Sequence, residues 1–294
     1  LRTEKPDWVL TQGDTTTAMV GALAGFYHQA MGVKVGHVEA GLRTWDKLQP
    51  FPEEINRKIA DAVCDLHFAP TQLSRDNLLR EGMNESSVIV TGNTVIDALL
   101  EVAAQDYDWE TSALAAVPRD KQAGKRLILI TAHRRENFGQ PLEQICKALK
   151  EIAISFDDVH LVYPVHLNPN VQTIVRAELS GVANITLLEP LDYLPLVQLM
   201  KASYLVLTDS GGLQEEAPGL GKPVLVLREV TERPEGVEAG TVKLVGTDKD
   251  RIVRETARLL EDVDEYGKMS RAVNPYGDGR ASERIVQSLL TFPA

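Results

Sequence analysis

Short apolar runs recur along this chain, and each gives way to a polar or glycine-bearing turn and then an amphipathic stretch. Trp8–Thr11, Val35–Val38, Leu66–Ala69 and Val88–Thr91 are runs of this kind. Such runs read as strands buried on both faces, and strands alternating with helices build parallel sheets covered by those helices. The intervening stretches Thr15–Met31, Glu53–Cys64 and about Thr71–Arg80 carry helical spacing. A second series follows, with strands at Leu127–Thr131, His160–Tyr163, Ile185–Leu188, Tyr204–Thr208 and Pro223–Leu227. Helices at Leu142–Ser155 and Val171–Leu179 separate its first members. The fold class is therefore α/β, with two Rossmann-like domains in tandem.

The polar segment from Ala103 to Lys125, which contains Pro118, is the natural linker between the two series. The expected division is 1–92 for the first domain and 93–277 for the second with its connecting segment. A terminal part, 278–294, holds a helix at Ala281–Leu290 that crosses back to the first domain. The breaker run Asn274-Pro275-Tyr276-Gly277-Asp278-Gly279 precedes that helix. A length of 294 residues suits two domains of roughly 100–200 residues each. The chain opens on Leu1-Arg2-Thr3-Glu4-Lys5-Pro6, which reads as a helix tail before a strand. The first domain is accordingly expected to lack its opening elements, leaving Trp8–Thr11 or a neighbour as an unpaired edge.

A net charge of −11 argues against a nucleic-acid partner, which would need clustered cations. It leaves room for a small anion bound locally by arginines and backbone amides. No apolar run is long enough to span a bilayer, so no membrane partner is expected. Cys64 and Cys146 lie far apart in helix-like apolar patterns and match no metal or redox spacing. They read as buried free thiols in a reducing cytoplasm, and no metal is expected.

Open parallel sheets bind ligands at the carboxyl ends of their strands, and two such domains imply a cleft. The polar residues at those ends are therefore the informative ones. Gly13-Asp14-Thr15-Thr16-Thr17 follows the first strand and opens a helix, so Asp14 is either an N-cap or a functional carboxylate. Glu39, in His37-Val38-Glu39-Ala40-Gly41-Leu42-Arg43, ends the second strand with no adjacent helix to cap. Glu53, Asn56 and Arg57 share one helical face, where the acid and the guanidinium act together or simply pair.

In the second domain, Thr131-Ala132-His133-Arg134-Arg135-Glu136-Asn137 ends a strand. A histidine beside two arginines there fits phosphate contact or proton transfer better than packing. His166 ends the next strand, placed to line the cleft, whereas His28 and His160 suggest no role. Thr208-Asp209-Ser210-Gly211-Gly212-Leu213-Gln214-Glu215-Glu216 runs from a strand through a glycine turn into a helix. Free amides in such a turn approach a diphosphate closely, with Glu216 placed to accept from ribose hydroxyls. Arg233, in the loop Thr231-Glu232-Arg233-Pro234-Glu235, offers a further anion contact. Neither glycine turn has dinucleotide spacing, so no NAD and no other cofactor is expected.

These blocks, in this order, resemble the non-hydrolysing UDP-N-acetylglucosamine 2-epimerases, and the likeness runs from Asp7 to about Leu290. The resemblance implies the two-domain GT-B architecture and an isomerase that interconverts UDP-GlcNAc and UDP-ManNAc for surface polysaccharides. It implies that Asp14, Glu39, Glu53 and His133 serve catalysis. Arg57, Ser210, Gly211, Gly212, Glu216 and Arg233 would hold UDP and substrate. Arg134 and His166 would contact a second, allosteric UDP-GlcNAc, and a homodimer is the expected assembly. Leu191 and Leu196 depart from the family pattern near the uracil. The implied chemistry eliminates UDP across C1–C2, holds 2-acetamidoglucal and adds UDP back with C2 inverted. Rival readings are a GT-B UDP-sugar glycosyltransferase, a hydrolysing epimerase and a UDP-sugar-binding fragment without turnover.

Overall fold

The computed structural model describes residues 1–118 and 125–292. Of the expected linker, 119–124 lie outside the described residues. Contacts divide the chain into two compact units, Leu1–Ala98 with Pro275–Ala294, and Leu99–Asn274.

The first unit is built on β1 (Trp8–Gln12), β2 (Lys34–Val38), β3 (Leu66–Ala69) and β4 (Val88–Val90). All four strands are parallel and lie in chain order, so β1 forms one edge of the sheet. Helices α1 (Thr16–Phe26), α2 (Glu53–Val63) and α3 (Gln72–Arg80) connect them, and α4 (Thr94–Ala103) follows β4. All four residues of β3 are buried, as the apolar run implied. Phe68 and Leu66 pack with Val38 and with Ile285 of the terminal helix, while Ala22, Val35 and Ala60 fill the layer between sheet and helices.

Helix α1 stops earlier than the expected Met31. The ring nitrogen Nδ1 of His28 lies 2.8 Å from the carbonyl of Ala24, the acceptor that the next helical N–H would have used. The His28 N–H turns instead to Gly25, and Gln29–Met31 winds as a separate 3-10 turn.

The second unit carries β5 (Arg126–Thr131), β6 (Val159–Pro164), β7 (Ile185–Leu188), β8 (Leu205–Thr208), β9 (Val224–Val226) and β10 (Val242–Leu244). Its helices are α5 (Gln140–Ser155), α6 (Pro169–Leu179), α7 (Tyr193–Ala202), α8 (Leu213–Gly219), α9 (Pro234–Glu238), α10 (Lys249–Glu261) and α11 (Val263–Ser270). Helix α12 (Ala281–Thr291) belongs to the first unit. The sheet order is β10-β9-β8-β5-β6-β7, all parallel. From β5 the chain builds outward to β7, then returns to place β8 on the other side of β5. That is the Rossmann order, and the gap between β5 and β8 is its switch point, where ligands bind beyond the strand ends. Ile128, Ile130, Leu161 and Leu207 meet Ile145, Leu149 and Ile152 of α5 in the core of this unit. Among the described residues no helix is long and apolar enough to cross a membrane.

The first unit encloses a charge network. The buried carboxylate of Asp61 lies 2.5 Å from His37 Nδ1 and accepts from Arg43 Nη2 at 2.6 Å. Arg43 also donates to Glu81 at 2.6 Å. The second ring nitrogen of His37 lies 2.8 Å from the carbonyl of Gly13. Both of its ring nitrogens thus face acceptors, so the ring is an imidazolium. Burial opposes that charge, but Asp61 and the Gly13 carbonyl outweigh it and hold the His37 pKa above 6.5. Burial likewise opposes ionisation of Asp61, and His37 and Arg43 bring its pKa down to about 2.

Linkage gives the pair a definite pH dependence. The His37 contribution to stability is complete below 6.5 and is lost as pH rises through the higher folded value. The Asp61 contribution is present above 3.8 and is lost only as pH falls towards about 2. Asp61→Asn leaves His37 with an uncompensated buried charge, while Arg43 keeps Glu81, and is expected to destabilise the first unit by about 3–5 kcal/mol. Chemical denaturation across a pH series should show this loss, together with disappearance of the decline in stability above pH 6.5.

Candidate functional site

In the first unit the polar strand ends gather around Gly13. Gly13 has φ +73°, and a Cβ there would lie 3.2 Å from Glu39 Oε2. The β1–β2 register, Gln12 opposite Val38, brings these two strand ends together. Thr15, not Asp14, caps α1, its hydroxyl accepting the N–H of Ala18 at 3.2 Å. Asp14 is thereby released from capping. Its Oδ2 takes Nη2 and Nε of Arg57 at 2.6 and 3.1 Å, and its carbonyl takes the amide of Asn56 at 2.8 Å.

The pairing of Glu53 with Arg57 is not formed. Arg57 turns to Asp14 and to Glu54, and Glu54 is fully buried, also accepting the N–H groups of Thr44 and Trp45 at 3.1 Å. Glu54 is thus the structural acid of the Pro52-Glu53-Glu54 run. Glu53 opens α2, half-buried, without a hydrogen bond or ion pair among the described residues. The sequence signal for this division of labour was the i,i+3 spacing of Glu54 and Arg57.

Glu39 is held at φ +66°, a left-handed conformation that costs a residue with a side chain about 1–3 kcal/mol. Its Oε1 accepts from Asn93 at 3.2 Å. The buried Asn93 escaped the sequence reading, because nothing in the turn after β4 marks it apart from an ordinary loop. Asp14 and Glu39 therefore meet at one pair of strand ends, each aimed by a polar partner.

In the second unit the loops after β5 and β8 flank the switch point. Asp209 is wholly buried at the end of β8. Its Oδ2 accepts from the backbone of His133 and Arg134, both at 2.8 Å, and from Asn137 at 3.0 Å. The hydroxyls of Thr131 and Thr208 bond each other at 2.6 Å across the same strands. One carboxylate thus fastens the histidine loop to the residue that precedes Ser210.

At the glycine turn, a Cβ on Gly211 would lie 2.7 Å from Arg233 Nη1 and 3.5 Å from Arg134 Nη2. Two guanidinium groups therefore stand beside this turn, Arg233 the nearer. Arg233 is anchored through Nε by the buried Glu215. Helix α8 starts here without a side-chain cap, and the N–H groups of Gln214 and Glu215 turn back to the carbonyls of Gly211 and Gly212 at 3.2 and 2.9 Å. This arrangement suits an anion such as a diphosphate.

His133 and His166 stack, with ring centroids 5.3 Å apart and planes 13° from parallel. Burial, aided by His166 and Arg134, pushes the His133 pKa below 6.5 against the pull of Asp209. His166 is exposed, and its Nδ1 accepts the N–H of Asn168 at 3.1 Å. Glu216 is buried, and its Oε1 accepts from the hydroxyl of Tyr193 at 2.9 Å. Burial raises the Glu216 pKa, the Tyr193 hydrogen bond opposes the rise, and Glu215 adds to it. Tyr193 is a site residue that sequence reasoning missed. Among the described residues no cluster of histidine, cysteine and acidic side chains could hold a metal ion.

A Rossmann-ordered sheet with arginines around a glycine turn at its switch point defines a nucleotide-binding class of α/β protein. A second parallel-sheet unit with acidic strand ends narrows the class to GT-B-like enzymes. The chain belongs to the UDP-N-acetylglucosamine 2-epimerase family, whose model matches residues 1–290. It is 56% identical over 287 residues to the UDP-N-acetylglucosamine 2-epimerase of Escherichia coli O157:H7, covering 97% of this chain and 76% of that one. The crystal structure of UDP-GlcNAc 2-epimerase from Neisseria meningitidis bound to UDP-GlcNAc is 47% identical with a TM-score of 0.88, over 99% of this chain and 78% of that one. The Methanocaldococcus jannaschii enzyme in complex with UDP-GlcNAc and UDP is 36% identical with a TM-score of 0.80, over 99% and 78%.

The Tyr193–Glu216 contact yields a direct expectation. Tyr193→Phe removes the hydrogen bond that opposes the rise of the Glu216 pKa, so that pKa should rise further above 4.5. A carboxyl titration followed by NMR in both proteins measures the change, and an unshifted or lowered midpoint would contradict the hydrogen bond.

Proposed function

We propose that this protein interconverts UDP-N-acetylglucosamine and UDP-N-acetylmannosamine by inverting C2 of the sugar, for surface polysaccharide precursors. The carrying observation is the chemistry of the strand ends. The first unit presents carboxylates with no capping duty, and the second presents a glycine turn with the guanidinium groups of Arg233 and Arg134 beside it. Membership of the family, and the relative bound to UDP-GlcNAc, support the choice of substrate.

No carbonyl adjoins the C2 hydrogen in a way that would acidify it, so direct deprotonation is costly. Elimination avoids the difficulty. A base takes the C2 proton, the C1–O pair leaves with UDP, and 2-acetamidoglucal remains. UDP then returns to C1 while a proton reaches C2 from the opposite face. Nothing is oxidised or reduced overall, so the reaction asks for no redox cofactor.

Asp14, Glu39 and Glu53 are the groups for proton transfer, and Arg57, gripping Asp14, sets that carboxylate in place. Ser210, Gly211, Gly212 and Arg233 hold the diphosphate, and Glu216 the ribose. His133 stands beside Arg134 to meet the developing phosphate charge. The stacked His166 and the same Arg134 suit a second UDP-GlcNAc acting as activator, in a homodimer. Free Cys64 and Cys146 fit a cytoplasmic setting.

Incubation with UDP-GlcNAc in heavy water, followed by NMR, tests the reading. The product should have inverted C2 configuration and carry deuterium at C2. Full retention of protium, free ManNAc or transfer to an acceptor would each point to a different reaction. For the nucleotide site, Glu216→Ala should weaken UDP by about 1.5–3 kcal/mol, the worth of a hydrogen bond to a charged group. Titration calorimetry with unchanged affinity would displace Glu216 from the ribose.

A further inference from the structure

We infer that Asp209 is a positioning residue for His133, fixing which ring nitrogen carries the proton as well as anchoring the loop. The inference rests on the proposed role of His133, but its geometry stands alone within the second unit. Asp209 is fully buried, and its two oxygens have different lives. Oδ2 is saturated by three N–H donors, from His133, Arg134 and Asn137. Oδ1 is buried without a hydrogen-bond partner among the described residues. Its ion-pair neighbour is His133 Nδ1 at 3.6 Å.

An unsatisfied buried carboxylate oxygen is costly, so a nearby N–H gains much by turning to it. His133 is already tethered by its own backbone N–H to the other oxygen of the same group. A small rotation of the ring would close 3.6 Å to a hydrogen bond when Nδ1 carries hydrogen. The neutral ring therefore holds its proton on Nδ1 and keeps Nε2, across the ring, as the basic nitrogen. When Nε2 takes a proton, Asp209 steadies the imidazolium, whereas the stacked His166 and neighbouring Arg134 oppose it. A carboxylate that orients a histidine in this way serves the role of the acid in hydrolase triads. Here the same residue also leads into Ser210-Gly211-Gly212, so the proton-bearing ring and the anion turn share one anchor.

Histidine 15N NMR on the whole protein, with His133→Gln for assignment, reads the tautomer directly. In the unaltered protein at a pH where His133 is neutral, Nδ1 should be protonated. Finding the proton on Nε2 overturns the inference without any variant. In Asp209→Asn the amide oxygen can still take the three N–H groups, while its NH2 faces Nδ1 and forces the opposite tautomer. That variant should show the Nε2–H form, a lower His133 pKa and a kcat reduced about 10²–10⁴-fold. KM and UDP affinity should change little, by under about threefold (roughly 0.65 kcal/mol, a factor of ten being 1.4). Loss of UDP affinity with an unchanged tautomer would leave Asp209 as scaffold and overturn the inference. Full turnover in His133→Gln would instead remove His133 from the chemistry, and the tautomer measurement would still decide the link to Asp209.

Discussion

A parallel sheet leaves backbone and side-chain polar groups exposed at its carboxyl ends, and in each unit a buried aspartate gathers them. Asp209 collects two backbone N–H groups and one amide at the ends of β5 and β8. Asp61 collects an imidazolium and a guanidinium beneath β2, and through His37 it reaches the carbonyl of Gly13. A buried carboxylate is tolerable only when such donors surround it. The loops that donate are therefore tied to the sheet by those bonds. Preorganisation of the strand ends thus follows from the cost of burying charge, before any ligand is considered.

The two anchors differ in what they leave open. Asp61 is fully engaged, both oxygens paired, which suits a support that does nothing else. Asp209 keeps one oxygen without a hydrogen bond among the described residues, beside an ionisable ring. Strain is distributed in a similar way: Glu39 sits in left-handed backbone at a strand end, while Glu54 on α2 has both oxygens hydrogen-bonded. Asp209 and Glu39 both stand at strand ends where chemistry is expected.

Much of this was legible in the sequence because parallel strands announce themselves as short apolar runs. The strands from β1 to β9 all fall within a residue or two of the runs that suggested them. The three-residue β10, Val242-Lys243-Leu244, carries too little pattern to be seen. Helix α4, Thr94–Ala103, was missed although Asp97 and Glu101 stand four apart on one face of it. The candidate residues were found by position, as polar groups at strand ends. Their partners were not: Asn93, Tyr193 and Asp209 act through contacts 54, 23 and 76 residues away in the chain. Local pattern carries no record of contacts at that separation.

The same limit explains why Asp14 and Glu53 read ambiguously. A carboxylate before a helix and an acid four residues from an arginine both have ordinary structural uses. The ambiguity is resolved by a competitor in each case. Thr15 takes the cap, so Asp14 is free to face Arg57, and Glu54 takes the inner position on α2, so Glu53 keeps its charge unpaired among the described residues. Each acid that the chemistry calls for stands next to a neighbour that has taken over its structural duty. That pairing separates the acids available for proton transfer from those the fold consumes.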